Sequence, residues 1–272
     1  RIFVIKNIDD QLIFSKEIKK LISRYFPSEK EAVFYSSETS SHWQEYGESQ
    51  SAKVNGGSLE LAGVGFGDYE AKDRKNYSLL FHAPYFLLLN VRSLFLSTRL
   101  RQAWKKVANS TNRLQSADFV RIATSLKVLI RHLKEEDFAK VVIIGDGYGT
   151  TGQIIKEIFP NSSITYINLG RALVFDAAFS FQAFPNASHN FIEPNSSNIG
   201  SDFNYIAAED LQEIDCNGTL FINIASMQEM NISTIEKYME LIRAQQNETL
   251  FYCSNREMKI LPDGSEIRFS EY

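Results

Sequence analysis

Apolar residues recur along this chain with a period that becomes regular near residue 116. Phe119, Ile122, Leu126, Leu129 and Leu133 follow one another at steps of three and four, while Arg121, Lys127 and Arg131 take other faces. That spacing predicts an amphipathic helix. Four consecutive apolar residues, VVII (141–144), then predict a buried strand, and an alternation follows. It runs through a helix from about Thr151 to Phe159, a strand ITYIN (164–168), a helix from about Ala172 to Phe184, a strand TLFINI (219–224), a helix STIEKYMELIRAQQ and a strand LFYCS (250–254). Pro160 and Pro185 close two of these helices. Ser233 and Glu236 have the spacing of a capping box, with Ile235, Met239 and Ile242 on one face behind them. FNYIAAEDL (203–211) fits either element, and EIRFSEY (266–272) reads as a final strand. Strands alternating with helices imply parallel pairing, so the second half is expected to be a doubly wound α/β sheet with ligands at the carboxyl ends of its strands.

The first hundred or so residues are less regular. IFVI (2–5) reads as a strand, and SKEIKKLISRYF places Ile18, Leu21, Ile22 and Tyr25 on one helical face before Pro27. SSETSSHW and NGGS (55–58) mark loops, and SLELAGVGFGDY reads as a strand entering a glycine-rich loop. APYFLLLNVRSLFL, from Ala83, is interrupted by Asn90 and Arg92 and falls short of the roughly 18 uninterrupted apolar residues of a membrane span, so it is expected as a core helix. The division expected is an amino-terminal cap, Arg1 to Gln115, and a sheet domain, Ser116 to Tyr272.

Composition narrows the partners. The 272 residues are 44% hydrophobic, and 29 basic against 33 acidic residues give a net charge of −4. No block of basic residues forms a phosphate-tracking stripe, so nucleic acid is not an expected partner. Cys216 and Cys253 are too few for a disulfide framework and lack metal-ligand spacing, which fits a reducing, cytoplasmic setting and small buried thiols. The chain opens at Arg1 rather than Met, as a trimmed or partial chain would. Asn-x-Ser/Thr triplets at Asn161, Asn186 and Asn217 read as polar loops rather than glycan sites.

The segment VVIIGDGYGTTGQII (141–155) carries the chemistry. Its glycines satisfy G-x-G-x-G from Gly145, the pattern of nucleoside-binding methyltransferases, and G-x-G-x-x-G from Gly147, the dinucleotide pattern. Either way, glycines permit the tight strand-to-helix turn, and the helix behind it presents backbone N–H groups to a carboxylate or phosphate. The first register follows the strand directly, whereas the second leaves two extra residues.

Together with YINLGRALVFDAAFSFQAFP, LFINIASMQEMNISTIEKYMELI and FYCSNRE, this segment resembles the sugar O-methyltransferases, a class I S-adenosylmethionine-dependent group, over roughly residues 118–272. SMQEM (226–230) is the most specific piece. The resemblance implies a Rossmann-like methyltransferase sheet behind a mostly helical cap, S-adenosylmethionine as cofactor, and a sugar or glycan acceptor. It implies cofactor contacts from Gly145, Asp146, Gly147, Tyr148, Gly149, Asn168 and Leu169. Two acids of that pattern are absent: Ile143 stands on the first strand, and Asn168 stands where a carboxylate would bind both ribose hydroxyls. An amide accepts one such bond without charge assistance. Asp146 either replaces the lost acid at the methionine ammonium or stands solvated. The losses also admit a weakened or non-catalytic relative, and an NADP-binding protein with Arg171 at the 2′-phosphate.

Methyl transfer to a hydroxyl requires alignment and a base. Glu229, beyond the strand ending at Ile224, is the first candidate, and His42 and His82 are alternatives from the cap; His132 and His189 are less well placed. Asn223, Ser226, Asn255 and Arg256 are expected to hold substrate. Trp43, Tyr46 and Phe66 either stack on a sugar ring or pack the cap. No metal site and no nucleophilic serine elbow is expected.

Overall fold

In a computed structural model, the described residues are 2–10, 12–26, 39–47, 50–63, 87, 91, 94–113, 117–192, 200–211, 220–245 and 248–272. Six parallel strands form the central sheet: β4 (Lys140–Ile144), β5 (Ser163–Asn168), β6 (His189–Phe191), β7 (Phe203–Ala207), β8 (Leu220–Ile224) and β9 (Leu250–Ser254). Their spatial order is β6-β7-β5-β4-β8-β9. Numbered within the sheet this is 3-4-2-1-5-6, where a dinucleotide-binding sheet runs 3-2-1-4-5-6. The architecture is therefore a mixed α/β fold compatible with the Rossmann-like type, with one strand more on the β5 side.

The run VVII is apolar throughout because both faces of the central strand are covered. Val141 and Ile143 enter one core with α5 (Thr150–Ile158) and α6 (Gly170–Ala183), while Val142 and Ile144 enter a second core with α7 (Ile232–Arg243). α6 is apolar on almost every face and correspondingly buried. The ambiguous segment FNYIA is strand β7, and β6, only three residues long, gave no periodic signal. The capping box at Ser233 does not form: α7 starts at Ile232 behind Asn231, whose carbonyl accepts from Thr234 N–H and closes the first turn.

The amino-terminal region is not simply helical. β1 (Ile2–Ile5), β2 (Ser51–Asn55) and β3 (Ser58–Ala62) make an antiparallel sheet in the order β1-β3-β2. Gly56 and Gly57, at φ +51° and +74°, form the two-residue hairpin turn between β2 and β3. Beside it stand α1 (Leu12–Tyr25), α2 (Ser41–Gly47), α3 (Thr98–Ser110) and α4 (Ala117–His132). The apolar faces of α1, α3 and α4 share the first core with the strands: Phe14 stacks on Phe181 at 4.2 Å, and Phe3 of β1 meets Phe179 edge-on at 5.3 Å. Most of the segment from Ala83 lies outside the described residues. Leu87, Val91 and Leu94 are helical but exposed, which departs from the core helix expected there. The last strand predicted, β11 (Glu266–Arg268), joins β10 (Met258–Ile260) in a separate antiparallel pair. Among the described residues no helix is long and apolar enough to cross a membrane.

Candidate functional site

β4 pairs onward to β5 and β8 onward to β9, so the chain leaves this adjacent pair towards opposite edges. At such a switch point a parallel sheet opens a crevice. The β4–β8 ladder stops at the Ile143–Ile222 pairing, and one residue later the Asn223 side chain takes over, donating from Nδ2 to the Ile144 carbonyl at 2.9 Å. A cleft of about 200 Å3 lies here. It is lined by Gly145, Asp146, Gly147, Asn168, Ser226 and Glu229, with Trp43, Asp118, Arg121 and Arg256 also contributing.

The glycine turn is shaped by protein atoms around it. At Gly145, φ is +71°, and a Cβ would stand 2.7 Å from the Ser226 Cβ with the Ser226 hydroxyl nearer still. At Gly149, φ is +65°, and a Cβ would meet Gln153 Nε2 and Ser180 Oγ at 2.8 Å. Internal packing alone thus requires glycine at both positions. Asp146 accepts from Thr151 N–H at 2.8 Å, Thr151 Oγ1 at 2.8 Å and Gly152 N–H at 3.2 Å. It is half-buried at the cleft but not unengaged: it caps α5, occupying amides expected to face a ligand. Burial pushes its carboxyl upward against these three hydrogen bonds.

Beneath the turn lies a polar layer that sequence reasoning missed. Asp176, fully buried on α6, accepts from Gly149 N–H at 2.7 Å and from Asn168 Nδ2 at 2.8 Å. Arg113 donates to Thr150 Oγ1 at 2.8 Å and Gln153 Oε1 at 3.1 Å, and its guanidinium lies 5.5 Å from the Tyr148 ring. Tyr148 packs that ring against Phe175 and Phe179 in the core while the residue also borders the cleft. Leu169 N–H is held by Asn168 Oδ1 at 3.0 Å. The detectable signal for Asp176 was a lone acid inside the apolar run ALVFDAAFSF; Arg113 offered none.

On the other side of the cleft, residues from three distant segments meet. Glu229 receives Lys259 Nζ at 2.6 Å and His42 Nε2 at 3.3 Å, and its backbone carbonyl accepts from Ser40 Oγ. Burial pushes the Glu229 carboxyl up, but the hydrogen bonds from His42 and Lys259 outweigh it and hold the group below the usual range. His42 stands edge-on to Trp43 at 5.5 Å. Asp118, unforeseen in the sequence, pairs with Arg121 at 2.8 Å; burial raises its carboxyl, and Glu229 adds to the rise.

Of the expected substrate contacts, Asn223 is a correction. It is fully buried, donates to Ile144 O and Ser226 Oγ, and accepts from Met227 N–H and Asn255 Nδ2, leaving no bond for a ligand. Asn255 spends its amide N–H groups on Asn223 and Cys253 and accepts from Gln228 N–H. Ser226 lines the cleft but donates to Ile144 O at 3.0 Å. Arg256 is anchored through its backbone N–H to Gln228 Oε1 at 2.8 Å and lines the cleft as an exposed residue. His82, Phe66 and Cys216 lie outside the described residues, as does the Tyr46 side chain. His132 is exposed at the end of α4, and His189 is buried in the aromatic stack of β6 and β7. Comparison with family models, curated proteins and solved structures found no match to this chain.

Proposed function

We propose that the cleft binds S-adenosylmethionine and that the protein transfers its methyl group to a sugar hydroxyl. The observation that supports the cofactor class is the position of Asp146. Its carboxylate fills the first amides of α5, which a dinucleotide needs for its pyrophosphate, and adds negative charge at the same place. Asp118 and Glu229 line the same cleft. At the turn itself a phosphate would meet occupied amides and the Asp146 carboxylate, with Arg121 and Arg256 as the cations elsewhere in the cleft, whereas a ligand ammonium or sulfonium would meet acceptors there. Arg171, which an NADP reading would place at the 2′-phosphate, donates to the Tyr25 carbonyl at 2.9 Å and stacks over Phe26 at 5.2 Å. The sugar acceptor rests on the resemblance in the second half of the chain, and Trp43 offers an aromatic face beside the cleft.

The bound cofactor supplies an electrophilic methyl group. Glu229 accepts the proton of the acceptor hydroxyl at a carboxylate oxygen, ionised at neutral pH because Lys259 and His42 favour its charge. His42 orients that carboxylate, and Arg256 holds a neighbouring acceptor hydroxyl. Calorimetric titration with S-adenosylhomocysteine tests the reading: saturable micromolar binding is expected, lost in Gly147→Leu while the circular dichroism spectrum is kept. Absence of binding to the natural chain would retire it. A second reading, a fold kept without turnover, draws on the internal engagement of Asp146 and Asn168. It requires cofactor binding without methyl transfer to any sugar acceptor.

A further inference from the structure

The absence of an acid at the end of β5 has a structural counterpart eight residues later. Asn168 is 7% exposed and ends β5 at the cleft. Its Nδ2 faces the Asp176 carboxylate at 2.8 Å, and its Oδ1 accepts from Leu169 N–H at 3.0 Å. Both contacts fix the same amide orientation, because a carboxylate only accepts and a backbone N–H only donates. The second Asp176 oxygen holds Gly149 N–H at 2.7 Å. One buried carboxylate therefore ties the glycine turn after β4 to the end of β5 from beneath the cleft. An aspartate at 168 would set two carboxylates face to face and lose the Nδ2 donor.

We infer that Asp176 is the positioning residue of the cofactor cleft, holding Asn168 at the end of β5 as the neutral residue that reads a ligand hydroxyl. This rests on the proposed cofactor. Asn168 Oδ1 has two lone pairs, one of which Leu169 N–H occupies, so the other is available to a ribose hydroxyl only while Asp176 prevents the amide from rotating. Burial and neighbouring Asp146 push the Asp176 carboxyl well above the ordinary range, against the hydrogen bonds from Asn168 and Gly149 and the nearby Arg113, and in both hydrogen bonds an Asp176 oxygen is the acceptor.

The test is an exchange of the two side chains, read by calorimetric binding of S-adenosylhomocysteine and by thermal unfolding. Asn168→Asp and Asp176→Asn are each expected to weaken binding about tenfold or more, the worth of one well-placed hydrogen bond. The double exchange restores the donor–acceptor pair and is expected to return affinity to within about threefold of the natural chain, the signature of coupled neighbours. Asn168→Ser, which adds no charge, replaces Asn168→Asp if that variant fails to fold, with the same loss of about tenfold expected. If the single variants melt earlier but bind as the natural chain does, or if the double exchange binds no better than they do, the positioning role is overturned and the cofactor reading stands. If the natural chain itself binds no S-adenosylhomocysteine, the cofactor reading fails and this inference falls with it.

Discussion

The two walls of the cleft are built on opposite plans. The wall formed by the glycine turn, α5, β5 and α6 is closed on itself: Asp146 caps α5, Asp176 holds Gly149 and Asn168, and Arg113 holds Thr150 and Gln153. Apart from Arg113 its members fall within one strand–helix–strand–helix stretch. The facing wall brings His42, Glu229 and Lys259 from α2, the turn after β8 and β10, and meets the cleft with partly exposed charge. Polar groups satisfied within the protein define shape, and charges left at a cleft perform chemistry. On the proposed function, ligand fit belongs to the first wall and proton transfer to the second.

The strongest way to break this division is to overfill the closed wall. Gly145→Ala must hold φ near +71° and press a Cβ into Ser226. Left-handed strain and overpacking together are expected to cost about 3 to 5 kcal/mol, read as a lower urea midpoint at unchanged m-value. A loss under 1 kcal/mol would show that the turn yields easily and is less rigid than its contacts imply.

Acid separates the two walls next. His189 donates from Nε2 to the Phe184 carbonyl (3.2 Å) at the carboxyl end of α6 and, neutral, accepts at Nδ1 from the Tyr205 hydroxyl (2.8 Å), and burial holds its pKa down to about 4 from 6.5. Between those values the unfolded chain binds a proton that the folded chain refuses, so stability is lost as pH falls through that window, by roughly 3 kcal/mol at its lower end. Asp146 and Asp176, with raised values, tilt the other way, so the readout is the difference between the natural chain and His189→Gln. The two curves should diverge from pH 6.5 downwards. Glu229, held low, contributes stability that is present above its unfolded value of 4.5 and lost only as pH falls through the folded one. Parallel curves would remove His189 from the account.

At the facing wall, Glu229→Gln keeps the shape and removes the charge. Methyl transfer is expected to fall about a hundredfold, roughly 2.7 kcal/mol in the barrier, with S-adenosylhomocysteine affinity changed less than about threefold. His42→Gln, which removes only the orienting partner, should cost about tenfold. Equal losses in binding and turnover would return Glu229 to the ligand-holding wall.

The same contrast explains what the sequence disclosed. The closed wall was legible because its parts are local: VVII announced β4, the glycines announced the turn, and Pro160 and Pro185 fell just beyond α5 and α6. β6 escaped because three residues carry no period, and β2 because SAKVN alternates too weakly. Glu229, His42 and Trp43 were individually visible as polar or aromatic residues near loops, but their meeting, and the arrival of Lys259 and Asp118, depends on packing across the whole chain. Asn223 misled for the opposite reason. A polar residue at a strand end reads as a ligand contact, yet here it substitutes for a missing rung between splayed strands.

The smallest effect tests whether the amino-terminal region acts on the two walls separately. α1 meets the closed wall where Tyr25 packs on Gly170 of α6, and beyond it Arg24 makes two bonds of 2.6 Å to Asp210 in the turn after β7, while α2 supplies His42 to the other wall. Arg24 is 48% exposed, so solvent screens the pair, and Arg24→Ala should cost only about 0.5 to 1 kcal/mol of stability. Tyr25 against Gly170 and Arg171 at the Tyr25 carbonyl keep α1 in place without the ion pair. Methyl transfer and its pH profile should therefore stay as in the natural chain, measured beside Glu229→Gln. If Arg24→Ala instead lowered turnover in proportion to that variant, α1 and α2 would have to move as one body, and the walls would be mechanically joined through the amino-terminal region rather than independent.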